Sequence, residues 1–448
     1  MNFTGLHVAV LGAGESGESA ATLLRTLSAR VTVLDSGSAD SLAPKIARLT
    51  ALGISIVAGS AADIDATIYD LGILSPGIDP TVPLVTNFRA KNIELFGELE
   101  LADRVCGRPV VGITGTNGKT TTTQLVEGML NSAGVKTVAC GNISPAFSAK
   151  AIEGRALDVI TVELSSFQLE EIRQFRPLVA VWLGFAPDHL DRYPDLEGYR
   201  SAKLRIFENQ TAEDFAVVNL RDKLPALSAK RITFSAYEMG GDFDLRSGII
   251  HFRGQPVLAM SDTQLRGHHN AENLMAALGV GVALGLEIVK LVPSLCAYRA
   301  LPHRCELVRV VDGVDYVNDS KATNLDSLEK ALAGENRPVV LIAGGKDKGF
   351  EFDSIAALVA EKCRCAILIG EMAERIESMW APRVHCINVG RSLERAVSTA
   401  QSHARSGDMV LFSPGTSSFD MFKNYADRGN QFRQIVQQLQ PTTTPSHE

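Results

Sequence analysis

Gly115, Gly118, Lys119 and Thr120 lie in the run VVGITGTNGKTTTT, residues 110–123, and their types and spacing suit a nucleoside triphosphate. Two glycines with small residues between them make a loop whose backbone N–H groups can converge on phosphate. The lysine supplies a point charge and the threonine hydroxyl can reach a metal ion. Thr116, Asn117 and Thr121 complete the loop, and the strand before it ends at Thr114. A helix from about Thr121 to Asn131 would aim its positive N-terminus at the same phosphates. The run departs from strict P-loop spacing, because Ile113 stands in the place of the first glycine. A Gly/Thr-rich turn that binds nothing is the plain alternative, but strand, glycines, Lys-Thr and helix occur in the order a phosphate site needs.

Other residues at strand ends could join this chemistry. Gly12, Gly14 and Gly17 follow the apolar run 6–11 in a GxGxxG pattern, with Glu15 and Ser16 between them, and Asp35 ends the next strand. That is a dinucleotide-binding fingerprint, although the same turn can hold the pyrophosphate of any nucleotide conjugate, nucleotide-sugars included. Ser75 and Gly77 close a further apolar run, where a plain turn is the competing reading. Glu163 ends the strand 158–162, at the place where P-loop proteins hold Mg²⁺; a satisfied polar residue at a strand end would look the same. His189, flanked by Asp188 and Asp191, falls in the loop after the strand 178–183. Lys203 lies on a helix over 196–208, and periodicity alone reads it as a solvated helix lysine. Asn270 and Asn273 open another helix, where side-chain amides can reach a base or ribose, with capping as the alternative for Asn270.

The elements that must carry these residues divide into three. With 448 residues the chain is too long for one core. The expected fold is α/β: a Rossmann-like domain over 1–97, a P-loop parallel-sheet domain over 98–302 and a second Rossmann-like domain over 303–448. Residues 215–259 alternate like short strands and suggest an antiparallel flap. In the third segment, strands precede three polar loops, 319–324, 344–349 and 413–420, whose hydroxyls, amides and lysines suit a small anionic substrate. A second dinucleotide is not expected there, since no Gly-rich fingerprint with a downstream acid appears.

Hydrophobic content of 45%, charged content of 21% and a net charge of −7 describe an ordinary globular protein and argue against nucleic-acid binding. The N-terminus has no basic region before its first strand, so a signal peptide is not expected. The apolar run 276–286 is too short to span a bilayer. Seven cysteines without zinc or redox spacing fit reduced thiols in a cytoplasmic protein. The polar tail from Gln440 is expected to be disordered.

GTNGKT, ELSSFQLE, DHLDRY with a lysine downstream in YRSAKLRIFEN, HNAEN, LPHR and DSKATN, in that order, resemble the Mur ligase family. These are ATP-dependent enzymes that build the peptidoglycan peptide and, in a related branch, polyglutamylate folate. The resemblance covers nearly the whole chain. DSKATN, GGKDKGFEF and SPGTSSFDMFKNYADRG are similar to the branch that adds D-glutamate to UDP-N-acetylmuramoyl-L-alanine through an acyl phosphate.

The resemblance implies roles. Gly14, Glu15, Ser16, Gly17, Asp35, Ser75 and Gly77 would line the UDP pocket, and Asn142 and His189 would also meet the nucleotide-sugar. Gly115 to Thr121 would hold ATP with Asn273, Arg304 and Asp319. Thr120 and Glu163 would bind one Mg²⁺, and His189 with a carbamylated Lys203 a second. Thr323, Lys348 and Ser418, helped by the backbone at Tyr425, would grip the amino acid. A monomer working on small molecules is expected, without membrane insertion. Two departures touch loop geometry: Ser144 replaces glycine in GNIG, and Gly184 replaces the asparagine that commonly precedes DHLD. A folylpolyglutamate synthase would lack the GxGxxG domain, and a sister ligase for L-alanine or a diamino acid would differ in the third segment. An NAD oxidoreductase, or a binding module, would leave Lys119 idle.

Overall fold

The computed structural model describes residues 2–441 apart from 190, 191, 300 and 336. Asp191 and most of the polar tail therefore lie outside the described residues. The chain forms two compact units, Met1–Phe185 with Glu197–Ala259 and Glu272–Cys296, and Ala186–Leu196 with Met260–Ala271 and Ala297–Glu448.

The first unit holds two sheets. β1 (His7–Leu11), β2 (Arg30–Asp35), β3 (Ser55–Ala58), β4 (Leu71–Leu74) and β5 (Leu95–Gly97) are all parallel, in the order β3-β2-β1-β4-β5. Runs such as VAVL and VTVL have no polar alternation because helices cover both faces of such a sheet. The chain adds β2 and β3 on one side of β1 and then crosses over to add β4 and β5 on the other, so a crevice opens at the carboxyl end of β1, where ligands bind in sheets of this kind.

The second sheet contains β6 (Val110–Thr114), β7 (Ala139–Gly141), β8 (Ile160–Glu163), β9 (Val179–Trp182), β10 (Phe215–Asn219), β11 (Lys230–Ser235), β12 (Phe243–Arg246), β13 (Ile249–Phe252) and β14 (Gln255–Ala259). Its order is β14-β13-β12-β11-β10-β9-β6-β8-β7. The expected flap is corrected here. β10 and β11 continue the parallel sheet, and only β12, β13 and β14 pair antiparallel, through two tight reversals. Val217 and Ile232 are buried on this extension, which a free-standing flap would not achieve. One apolar core joins the two sheets, running from Val8 and Val10 to Val162 and Trp182.

The second unit is built on β15 (Glu306–Val311), β16 (Val314–Asn318), β17 (Val339–Gly344), β18 (Cys363–Ile369), β19 (Cys386–Asn388) and β20 (Met409–Phe412). The order is β15-β16-β20-β17-β18-β19, parallel except for the edge strand β15. Apolar clusters lie on both faces of this sheet, around Leu341 and Trp380 and around Ile342 and Phe432. The seven cysteines are free thiols, and among the described residues no helix is long and apolar enough to cross a membrane.

Candidate active site

In the first unit, β9, β6, β8 and β7 are neighbours, so the loops that follow them gather at one edge. Strand β6 ends at Thr114, whose hydroxyl donates to the Leu164 carbonyl at 2.9 Å and ties the phosphate loop to the end of β8. Gly115 has φ 148° and Gly118 φ 84°, backbone states that glycine reaches without strain. The Thr116 N–H donates to the Gly184 carbonyl at 2.9 Å, and Gly184 itself has φ 139°, so glycine there serves the loop geometry. The helix then runs Lys119–Ser132, two residues earlier than expected, which puts Lys119 and Thr120 in its first turn.

Lys119 Nζ donates to the carbonyls of Gly115 and Thr116, both at 2.9 Å. Lys203 Nζ donates to the same Gly115 carbonyl at 3.0 Å. The solvated reading of Lys203 is thus overturned: it is 2% exposed and lies over the Tyr199 ring, 4.8 Å from its centroid. The helix Leu196–Leu204 turns this face inward. Tyr199, which sequence reasoning missed, is also 3.4 Å from the Thr116 hydroxyl.

Glu163 stands at the end of β8, in register with Ile113 of β6 and Gly141 of β7. Its Oε1 accepts from Asn142 Nδ2 at 2.7 Å, while its Oε2 is buried with no hydrogen-bond partner among the described residues. Asn142 follows Gly141, whose φ of 109° suits the turn, and the Ser144–Pro145 bond after it is cis. Asn273, on the helix His268–Ala283, accepts from the Thr122 hydroxyl at 3.2 Å. A Cβ on Gly118 would collide with that same side-chain oxygen.

The first sheet forms a separate cradle. Gly12 has φ 94° and leads into the helix Glu15–Thr26, and a Cβ on Gly17 would collide with the Gly12 carbonyl. Ser75 is close by, its hydroxyl 3.8 Å from where a Cβ on Gly14 would lie, while a Cβ on Gly77 would meet open space. Asp35 spends both carboxylate oxygens on the turn, accepting from the Ala13 N–H at 2.7 Å and the Gly37 N–H at 2.8 Å. It shapes the cradle.

In the second unit, Thr323, Lys348 and Ser418 follow β16, β17 and β20, three adjacent parallel strands. Lys346 bridges to Ser417, which draws two of these loops together. Arg428, unremarked in the sequence, is buried. Its guanidinium donates to the Ser320 hydroxyl at 3.0 Å and to the Ser320 and Thr416 carbonyls at 2.8 and 3.1 Å. Burial lowers its pKa to about 9. The Tyr425 carbonyl accepts from the Ser320 hydroxyl at 2.8 Å, and Lys321 lies over the Tyr425 ring at 3.8 Å. Asp319 accepts from the Cys305 N–H at 3.2 Å and from the Ser413 hydroxyl at 2.8 Å, joining the segment that carries Arg304 to the loop after β20. Burial pushes its pKa up to about 6.

His189, with φ 56°, and Asp188 belong to this second unit. Lys348 carries an ion pair to Asp188 at 2.7 Å, and Asn324 Nδ2 donates to the other Asp188 oxygen at 3.0 Å. Burial would raise the Asp188 pKa, but Lys348 and His189 outweigh it and hold the carboxyl below its usual range. Nothing local signals that residues 160 positions apart pair in this way.

The Mur ligase middle domain matches residues 113–281, and the Mur ligase glutamate ligase domain matches residues 303–415. A protein of Geobacter metallireducens named UDP-N-acetylmuramoylalanine–D-glutamate ligase is 39% identical over 98% of this chain and 99% of its own. One of the same name from Trichlorobacter lovleyi is 41% identical over 96% of this chain and 98% of its own. Among solved structures, the UDP-N-acetylmuramate-alanine ligase of Thermotoga maritima superposes with TM-score 0.61 at 19% identity, covering 96% of this chain and 99% of that one. The MurF ligase of the same organism, in complex with ADP, gives TM-score 0.58 at 16% identity over 82% of this chain and 89% of that one.

Proposed function

The chain belongs to the Mur ligase family, and on that premise we propose that it joins D-glutamate to UDP-N-acetylmuramoyl-L-alanine with ATP, in peptidoglycan precursor synthesis. One observation carries the substrate assignment: relatives with that name match along 98% of the chain. The proposed domains are 1–97 for the UDP substrate, 98–302 for ATP and 303–448 for the amino acid.

A carboxylate cannot acylate an amine directly, because oxide is not a leaving group. Its oxygen therefore attacks the γ-phosphorus of ATP, the bond to the bridging oxygen breaks, and ADP leaves. Lys119 and the N–H groups of the phosphate loop stabilise charge on the phosphoryl oxygens as it moves. The amine nitrogen of D-glutamate then attacks the acyl carbon, the C–O bond to phosphate breaks, and a proton leaves the nitrogen. Asn273 supports the loop from behind through Thr122. Ligand contacts of Asn273, Arg304 and Asp319 with ATP, of Ser75 and Asn142 with the nucleotide-sugar, and of Thr323 and Ser418 with the amino acid complete the proposal.

The donor set at Glu163 and Thr120 fits Mg²⁺. A buried carboxylate oxygen with no hydrogen-bond partner among the described residues, taken with the Thr120 hydroxyl, is the kind of hard-oxygen donor set this ion takes. Bound there, Mg²⁺ would neutralise charge between the phosphates. Lys203 fits carbamylation: adding CO₂ to its nitrogen, with loss of two protons from the ammonium group, would replace a cation that shares an acceptor with Lys119 by an anion able to hold a second Mg²⁺ alongside His189.

Mass spectrometry of the nucleotide product tests the reaction. With ATP, Mg²⁺, UDP-N-acetylmuramoyl-L-alanine and D-glutamate, the nucleotide should gain one glutamyl residue. An unchanged nucleotide would overturn the proposal.

A further inference from the structure

Asp188 is the carboxylate partner of two donors, Lys348 and Asn324, that come from two different loops. Asp188 is 6% exposed, with one carboxylate oxygen 2.7 Å from Lys348 Nζ and the other 3.0 Å from Asn324 Nδ2. The two donors come from the loops after β17 and β16, which flank β20. Asn324 cannot turn its amide round, because its Oδ1 accepts from the Ser327 N–H at 3.0 Å and caps the helix Leu325–Ala333. Its Nδ2 is thereby fixed as a donor toward whatever carboxylate sits beside Lys348. A cation and an oriented amide meeting one carboxylate form a complete seat for that group.

We infer that Lys348 and Asn324 form a carboxylate subsite for the incoming amino acid, and that Asp188 fills it until the substrate displaces it. This rests on the D-glutamate reading above and adds two things to it, Asn324 as a substrate contact and Asp188 as an internal competitor. An ion pair taken out of water contributes little net stability, because desolvation offsets the attraction. A soluble dicarboxylate can therefore compete with it. The same displacement frees the segment that carries His189, whose N–H donates to Asp188 Oδ1 at 2.8 Å. Amino-acid binding and the availability of His189 are coupled through one carboxylate.

The test is steady-state kinetics on the full-length enzyme with D-glutamate varied. Asp188→Asn removes the competing charge and should lower the KM for D-glutamate several-fold with the KM for ATP unchanged. Asn324→Ser keeps a good helix cap but removes the amide donor. It should raise the KM for D-glutamate by about tenfold, the loss expected for one hydrogen bond to a charged group, with kcat and the melting temperature close to wild type. A rise in the KM for D-glutamate in Asp188→Asn, as large as in Lys348→Met, would overturn the inference, since Asp188 would then be positioning Lys348. An unchanged KM in Asn324→Ser would remove Asn324 from the subsite. Wild-type enzyme that shows no turnover dependent on D-glutamate would instead refute the reaction assignment on which the inference rests.

Discussion

Lys119 and Lys203 share one acceptor, the carbonyl oxygen of Gly115, at 2.9 and 3.0 Å. Two ammonium groups held on one oxygen repel each other, and an anion placed between them relieves the repulsion. Phosphate arriving at the loop and carbamylation of Lys203 both do so. Activity should therefore fall in buffer stripped of CO₂ and return with bicarbonate, and Lys203→Met should lose on the order of 10²–10³-fold in kcat. Activity indifferent to CO₂ would argue that Lys203 works as an amine.

Glu163→Gln keeps the contact with Asn142 but removes the charge from the buried oxygen that has no hydrogen-bond partner among the described residues. The variant should fold normally and need a much higher Mg²⁺ concentration for half-maximal activity, with kcat down on the order of 10²-fold. Titration of activity against Mg²⁺ reads this directly. An unchanged Mg²⁺ requirement would move the metal elsewhere.

Gly118→Ala meets two obstacles at once, a φ of 84° and the Asn273 side-chain oxygen. A strained backbone of this kind costs about 1–3 kcal/mol, and the loop can relax only by moving away from Asn273. The KM for ATP should rise while the KM for D-glutamate stays constant. Equal effects on both would mean that the damage is global.

Asp103, on the helix Glu98–Cys106, has its pKa raised from the usual 3.8 to about 7, first by burial and then by Glu100. The folded state holds this proton more tightly than the unfolded chain does. Its contribution to stability is therefore full below about pH 4 and declines as pH rises to about 7. Asp103→Asn should stabilise the protein at pH 8, by on the order of 1–4 kcal/mol, and make little difference at pH 4. Urea unfolding at both values checks the sign, and a gain at pH 4 alone would reverse it.

Legibility in the sequence followed locality. The phosphate loop could be read because strand, glycines, Lys119 and helix are consecutive, and Glu163 because it ends an apolar run. The first sheet was marked by Gly12, Gly14 and Gly17 before a helix. Lys203 was misread from periodicity, since a helix pattern cannot say that one lysine lies over Tyr199 and reaches a carbonyl 88 residues away. β12, β13 and β14 looked like a flap because alternation reveals pairing but not the neighbouring sheet. β19 has only three residues, CIN, too few to show a pattern. Arg428 and the pairing of Asp188 with Lys348 and Asn324 depend on which loops the strand order brings together. The similarity to known motifs suggested a role for Lys203, which the residues alone did not.

Phosphate release from ATP and Mg²⁺ with UDP-N-acetylmuramoyl-L-alanine, adding D-glutamate, L-glutamate, L-alanine or a diamino acid in turn, tests the central claim most directly. Release that depends on D-glutamate alone is the predicted result. Release with one of the other amino acids in its place would contradict the assignment of the third domain and move the enzyme to a sister branch of the family.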